Sequence, residues 1–218
     1  TPEDLRVFHA RFIQAFLEQT QSRFASSNHL ILKEPHMTAY FPDLFELWPE
    51  SKFVVVIRDP RDIIVSMLDV GQRLEKNGGY HPLFQLSKLP QMVQSIMRFY
   101  APVLTYYQNN EAFRKVCRYI KYELLVQNPE KTIAILQQFT ELNLSGFDPE
   151  AVTESQRQTT DFNSASDRGS FWRTELSDQA VSTQSVGRYQ ERLKPEHIAV
   201  IEQYALPLMK SFAYTPMG

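Results

Sequence analysis

Arg58 and Ser66 stand eight residues apart at the end of an apolar run, in the stretch FVVVIRDPRDIIVSM. A guanidinium offers a forked set of N–H donors that matches a tetrahedral oxyanion, and a serine hydroxyl can complete the cradle. Each charge-assisted hydrogen bond of that kind contributes about 1.5–3 kcal/mol. The chemistry suited to this pair is therefore the gripping of a phosphate-like group. The plainer alternative is an Arg58–Asp62 or Arg61–Asp surface pair that only caps a helix, and such pairs are common and weak.

The elements around the pair must put both groups on one rim. Phe53 through Ile57 are large, mostly β-branched and apolar, the pattern of a strand buried on both faces of a parallel sheet. Ligands of open α/β sheets bind outside the carboxyl ends of the strands, and Arg58 is the first residue out. Asp59 suits the N-cap of a following helix and Pro60 its first position, which sets Ser66 about two turns in, near the face of Asp59 and Asp62.

The rest of the chain alternates in the same way. Thr1-Pro2-Glu3-Asp4 predicts a capped helix start, followed by Leu5, Phe8, Phe12, Ile13, Phe16 and Leu17 at helical spacing. Ser26-Ser27-Asn28 breaks that helix, and Leu30-Ile31-Leu32 predicts a short strand ending at Lys33. A short helix is expected at Leu44–Trp48. Gly71–Leu86 is expected to be a mobile connection. A long helix from Pro90 to Asn110 contains Pro102, a strand is expected at Val116–Tyr122, and Asn128-Pro129 and Pro195-Glu196 open further helices. From about 148 to 184 the chain is polar and aperiodic, a loop or lid. Strands alternating with helices predict an α/β fold with a largely parallel sheet.

With 218 residues, one substantial core and one domain are expected. A formal net charge of −2 argues against a nucleic-acid partner. No apolar stretch is long enough to span a bilayer, and no signal-peptide pattern opens the chain. Cys117 is the single cysteine, so no disulfide within the chain and no cysteine zinc site can form. Cytoplasmic residence is the simplest expectation, with a lumenal domain of an anchored enzyme as the alternative.

Three blocks in order carry a family resemblance. LKEPHMTAYFPDLFELWPESKFVVVIRDPRDIIVSM (Leu32–Met67), YIKYELLVQNPEKTIAILQQF (Tyr119–Phe139) and SVGRYQERLKPEHIAVIEQYA (Ser185–Ala205) resemble sulfotransferases that use 3′-phosphoadenosine-5′-phosphosulfate (PAPS). The matching features are a Lys-x-Pro strand end, Arg-Asp-Pro-Arg with the later serine, a Tyr-Glu-x-Leu strand end, and a Ser-x-Gly-Arg-aromatic segment. The resemblance implies a P-loop-type three-layer fold with a central, largely parallel sheet flanked by helices. It implies sulfuryl transfer from PAPS to a hydroxyl acceptor, leaving adenosine 3′,5′-bisphosphate (PAP).

By that resemblance Arg58 and Ser66 hold the 3′-phosphate and Tyr122 lies near the adenine. Ser185, Gly187 and Arg188 belong to a loop folding over the phosphate, although Thr183-Gln184-Ser185 replaces the Arg-Lys-Gly of some members. The resemblance further implies that Lys33 stabilises sulfuryl oxygens and that His36, Glu34 or a residue of the missing segment serves as the base for the acceptor hydroxyl. No cluster with metal-ligand spacing occurs, and none is required. The family's Ser-Gly-Thr loop for the 5′-phosphosulfate does not occur, so the first βα unit is expected to be missing from the 218 residues, and with it part of the nucleotide grip.

The acceptor is expected to be an alcohol or phenol on a small metabolite, lipid or carbohydrate. Phe84, Tyr80, Phe171 and Trp172 are candidates for its pocket or for anchoring the loops. A homodimer is an open expectation. Two other functions compete: a P-loop kinase-like phosphotransferase, and a non-catalytic interaction domain derived from a sulfotransferase.

Overall fold

Most helix starts along the described chain follow from local chemistry, a side-chain cap or a proline in the first turn. The computed structural model describes residues 1–23, 29–150 and 181–217, so the expected break at Ser26-Ser27-Asn28 and most of the expected lid lie outside the described residues. Helix α1 (Pro2–Ser22) opens with a capping box, in which Thr1 Oγ1 accepts from Asp4 N and the Asp4 carboxylate reaches back. After a 3₁₀ turn at Pro35–Tyr40 and α2 (Phe41–Leu47), strand β1 covers Phe53–Ile57. Asp59 then caps α3 (Pro60–Lys76), accepting from Arg61 N at 2.9 Å, with Pro60 in the first turn.

A 3₁₀ turn at Leu86–Lys88 leads into α4 (Leu89–Asn109), α5 (Glu111–Val116) and strand β2 (Cys117–Lys121). Helices α6 (Tyr122–Gln127) and α7 (Pro129–Thr140) follow, and α8 (Tyr189–Arg192) and α9 (Pro195–Ser211) close the described chain. The fold is α/β: β1 and β2 pair in parallel, from Phe53 opposite Cys117 to Ile57 opposite Lys121, with a helical crossover between them. Phe53, Val55 and Ile57 bury one face of β1 in a core with Ile64 of α3, Met92 of α4, Phe113 of α5 and Ile201 of α9. Burying such side chains contributes about 1.5–3 kcal/mol each.

Four expectations change. Leu30–Leu32 is not a strand, and the sheet has two strands among the described residues. Leu30, Ile31 and Leu32 remain exposed; three apolar residues need a hydrogen-bonded neighbour and a covering face to become a strand, and neither is present among the described residues. For the same reason β1 is buried on one face only, with Val56 45% exposed. The apolar stripe of α1 is likewise open to solvent, with Leu5, Phe8, Phe12 and Phe16 all more than half exposed.

The fourth change concerns the connection expected from Gly71. Helix α3 continues through Gly71 to Lys76, because the missing side chain lets the helix lie against the Phe84 backbone: a Cβ on Gly71 would stand 2.4 Å from Phe84 O.

Candidate functional site

Parallel pairing brings the ends of β1 and β2 out side by side. Arg58 leaves β1 one step after Ile57, and Tyr122 leaves β2 one step after Lys121. The Arg58 guanidinium lies 4.6 Å from the centre of the Tyr122 ring, a cation–π contact. Arg58 Nη2 donates to the carbonyl of Ser185 at 2.6 Å, and the hydroxyls of Tyr122 and Ser185 share a hydrogen bond at 2.7 Å. Three distant stretches thus meet at one point. Arg58 Nε is buried and has no hydrogen-bond partner among the described residues. Buried donors are nearly always satisfied, and this N–H can serve an acceptor brought to the strand end; Arg73 Nε and Nη2 and Tyr119 Oη are likewise buried without a partner among the described residues.

The pair of residues beyond is locked as well. Asp59 N donates to Glu123 Oε1 at 2.8 Å, and Glu123 Oε2 accepts from Tyr214 Oη at 2.8 Å. Burial, then Glu123, holds the Tyr214 phenol well above its usual range. Arg61, expected to be at most a surface partner, is 3% exposed and grips Asp59 through Nε and Nη2 and Glu202 through Nη1. Burial works against its charge, but Asp59 and Glu202 outweigh that cost and raise its pKa. The turn from β1 to α3 is therefore rigid.

Ser66 is half-buried on α3, one turn beyond Asp62 and on the same face. Asp62 accepts from Gly187 N at 2.7 Å and from Tyr189 N at 3.0 Å, which fixes the turn carrying Ser185. Burial pushes the Asp62 carboxyl up, while the two backbone donors pull it down. Gly187 adopts a left-handed φ of 76°, a conformation that favours glycine. Arg188 Nη2 donates to Asp69 at 2.8 Å, joined there by Arg192 at 2.7 Å.

Lys33, Glu34 and His36 form a second group, exposed, beside the 3₁₀ turn. Glu34 Oε1 accepts from His36 N at 3.0 Å and pairs with His36 Nδ1 at 2.7 Å. The backbone N–H of His36 holds the Glu34 carboxyl below its usual range, with the imidazole and Lys33 adding to the effect. With Nδ1 turned to the carboxylate, Nε2 is the nitrogen left to take a proton. No hydrogen bond or ion pair joins this group to Arg58 among the described residues, but α4 meets both this group and β1: His36 packs on Phe99 at 4.8 Å, and the next residue, Tyr100, donates to Val56 O at 3.0 Å. Burial raises the Tyr100 phenol while the charge of Arg58 opposes it.

Sequence reasoning assigned no role to Asp62, Asp69 or Glu123 at the site. Their partners lie 64 to 127 residues away. Only Glu123, inside the Tyr-Glu-x-Leu block, carried a signal. Of the proposed pocket residues, Phe84 is buried against His81 with ring centres 3.7 Å apart, Tyr80 is exposed, and Phe171 and Trp172 lie outside the described residues. Among the described residues no group of three or more His, Cys, Asp or Glu could hold a metal ion, and no helix is long and apolar enough to cross a membrane.

Comparison with known proteins gives this geometry a family. Two nematode proteins provisionally named protein-tyrosine sulfotransferases are similar to the chain over 134 residues. The protein of Caenorhabditis elegans is 26% identical, over 61% of this chain and 48% of its own length. That of Caenorhabditis briggsae is 28% identical, over 61% of this chain and 44% of its own. The chain thus spans about half the length of the curated relatives it matches. The profile described as "Sulfotransferase family" matches residues 1–146, which include β1, β2, Arg58, Ser66 and Tyr122, and the chain belongs to that family.

Proposed function

We propose that the protein transfers a sulfuryl group from PAPS to a hydroxyl acceptor by in-line displacement. The observation that carries this reading is Arg58, held at the strand end between the Tyr122 ring and the Ser185 carbonyl with its buried Nε unspent. A planar cation so placed fits the 3′-phosphate of the nucleotide, with Ser66 as second donor and Tyr122 beside the adenine. The turn of Ser185, Gly187 and Arg188 covers that end. We assign the fold to the P-loop-type three-layer class on the parallel β1–β2 pair and its helical crossover.

When bound, PAPS supplies the activated sulfuryl group and a phosphate leaving group. Lys33 offers positive charge for the sulfuryl oxygens, and His36, oriented by Glu34, accepts the acceptor's proton at Nε2. Positioning and charge stabilisation supply most of the rate in such displacements. No metal is needed for these roles. The names of the two relatives favour a phenol, a tyrosine hydroxyl, over an alcohol as acceptor. Cytoplasmic residence is proposed on the lone buried Cys117, with a lumenal location as the alternative.

Calorimetry on the full-length polypeptide tests the reading. Adenosine 3′,5′-bisphosphate should bind without magnesium. Preference for ATP with magnesium would instead favour a kinase-like phosphotransferase, and no nucleotide binding at all an interaction domain.

A further inference from the structure

Asp62 is 2% exposed, yet among the described residues no ion pair neutralises it. A buried carboxylate is costly unless its oxygens are satisfied, and a surface helix does not need one. Here both oxygens are used on backbone N–H groups from a single remote turn, Gly187 and Tyr189. That turn begins at Ser185, whose carbonyl faces Arg58 and whose hydroxyl meets Tyr122. Seven residues along the same face of α3, Asp69 holds Arg188 and Arg192. Ser66 lies between the two acids on that face.

The two carboxylates act differently. Asp69 binds side chains and commits the Arg188 guanidinium to α3. Asp62 binds the main chain, so it fixes where the turn runs whatever side chains the turn carries. Each bond is made over a separation of more than a hundred residues. The Tyr189 ring, 4.1 Å from the Arg61 guanidinium, anchors the far end of the turn in the core, which leaves Asp62 to fix the Gly187 main chain.

We propose that Asp62 is a positioning residue: it latches the 185–189 turn across the end of β1 and thereby sets how long the site retains an adenosine 3′,5′-bisphosphate. The nucleotide part rests on the function proposed above; the latch itself does not. Loss of Asp62 frees two N–H groups and lets Ser185 leave Arg58 and Tyr122. Dissociation of the nucleotide then accelerates, while association, which begins with an open turn, changes little.

The test uses the full-length polypeptide with Asp62→Ala and Asp62→Asn, the latter retaining one acceptor oxygen, and two readouts. Amide hydrogen exchange without nucleotide should be about tenfold or more faster at Gly187 and Tyr189 in Asp62→Ala, less so in Asp62→Asn, and unchanged in β1 and α4. Stopped-flow release of adenosine 3′,5′-bisphosphate should be about tenfold faster, with association within about threefold. Acceleration of exchange throughout the fold in both variants, or unchanged exchange at the turn, overturns the latch. An opened turn with unchanged release overturns its role in retention. A wild-type protein that does not bind the nucleotide, with a turn that still opens on substitution, overturns the preceding subsection and supports the latch. If Asp62→Ala does not fold, Asp62→Asn carries both readouts.

Discussion

Arg58 Nη2 donates a 2.6 Å hydrogen bond to the carbonyl of Ser185, 127 residues downstream, while the same guanidinium lies over Tyr122. One planar side chain thus joins two strand ends and a remote turn and still keeps a buried N–H in hand. Arg58→Ala should weaken binding of adenosine 3′,5′-bisphosphate more than about tenfold. Arg58→Lys should lose nearly as much, because an ammonium cannot serve the carbonyl, the ring and an anion in one plane. Titration calorimetry of both variants checks this. Wild-type affinity in Arg58→Lys would mean that point charge alone suffices.

The Glu34–His36 pair predicts a graded loss in the chemical step. His36→Ala should lower kcat about 10²-fold or more, and Glu34→Gln by a smaller factor, since the amide can still orient Nδ1. The KM for nucleotide should hardly move in either. Steady-state kinetics with a tyrosine-containing peptide acceptor gives both numbers, and full activity in His36→Ala would assign the proton transfer elsewhere.

Gly71→Ala sets helix propensity against packing. Alanine in a helix is favoured over glycine by about 1 kcal/mol. A Cβ 2.4 Å from Phe84 O cannot be accommodated without moving backbone, and overpacking typically costs about 1–3 kcal/mol. The clash should win, so the variant should unfold at lower temperature despite its better helix former. A raised Tm would show that the Phe84 segment yields freely.

Burial pushes the Cys117 thiol up from 9.0 to about 12. The folded chain therefore keeps the proton where the unfolded chain has released it. The stability contributed by this group is complete below pH 9 and is lost as the pH rises toward 12. A thiol reagent at pH 8 should label the native protein on the order of a hundredfold more slowly than the denatured one. Equal rates would place the thiol at the surface.

Glu202 is buried and accepts from Arg61 at 2.7 Å and from Met217 N at 3.0 Å. Glu202→Ala leaves a buried guanidinium with only part of its partners, at a cost of about 3 kcal/mol. Urea denaturation should show a lower midpoint with the slope unchanged. A neutral substitution would mean that Asp59 and the Thr215 carbonyl suffice for Arg61.

How much of this was legible beforehand depended on range. Asp59 as cap, Pro60 as first helical residue and Arg58 at the rim follow from neighbours in sequence, and they stand as expected. The helix starts at Pro129 and Pro195 were legible for the same reason. Leu30–Leu32 misled because an apolar triplet states only a preference for burial, and a strand needs a partner that no local pattern supplies. Asp62 was visible as a helix-face acid, but its two acceptor bonds go to main-chain atoms, which carry no residue-type signature. Gly71 opens the expected connection to Leu86, yet it stands inside α3 because only the missing side chain allows the close approach of Phe84, a neighbour that no local pattern announces.

Because β1 and β2 run the same way and match residue for residue up to Ile57 and Lys121, their exits are in phase: Arg58 beside Tyr122, then Asp59 beside Glu123. Side chains alternate faces along a strand, so sliding one strand by a single position would turn the tyrosine away from the arginine and offer the glutamate instead. A one-residue deletion within 117–121 should therefore reverse the faces of the strand residues beyond it and exchange an aromatic platform for a carboxylate under the cation. The reading frame of a five-residue ribbon decides whether that cation meets an anion's binder or its own counter-charge.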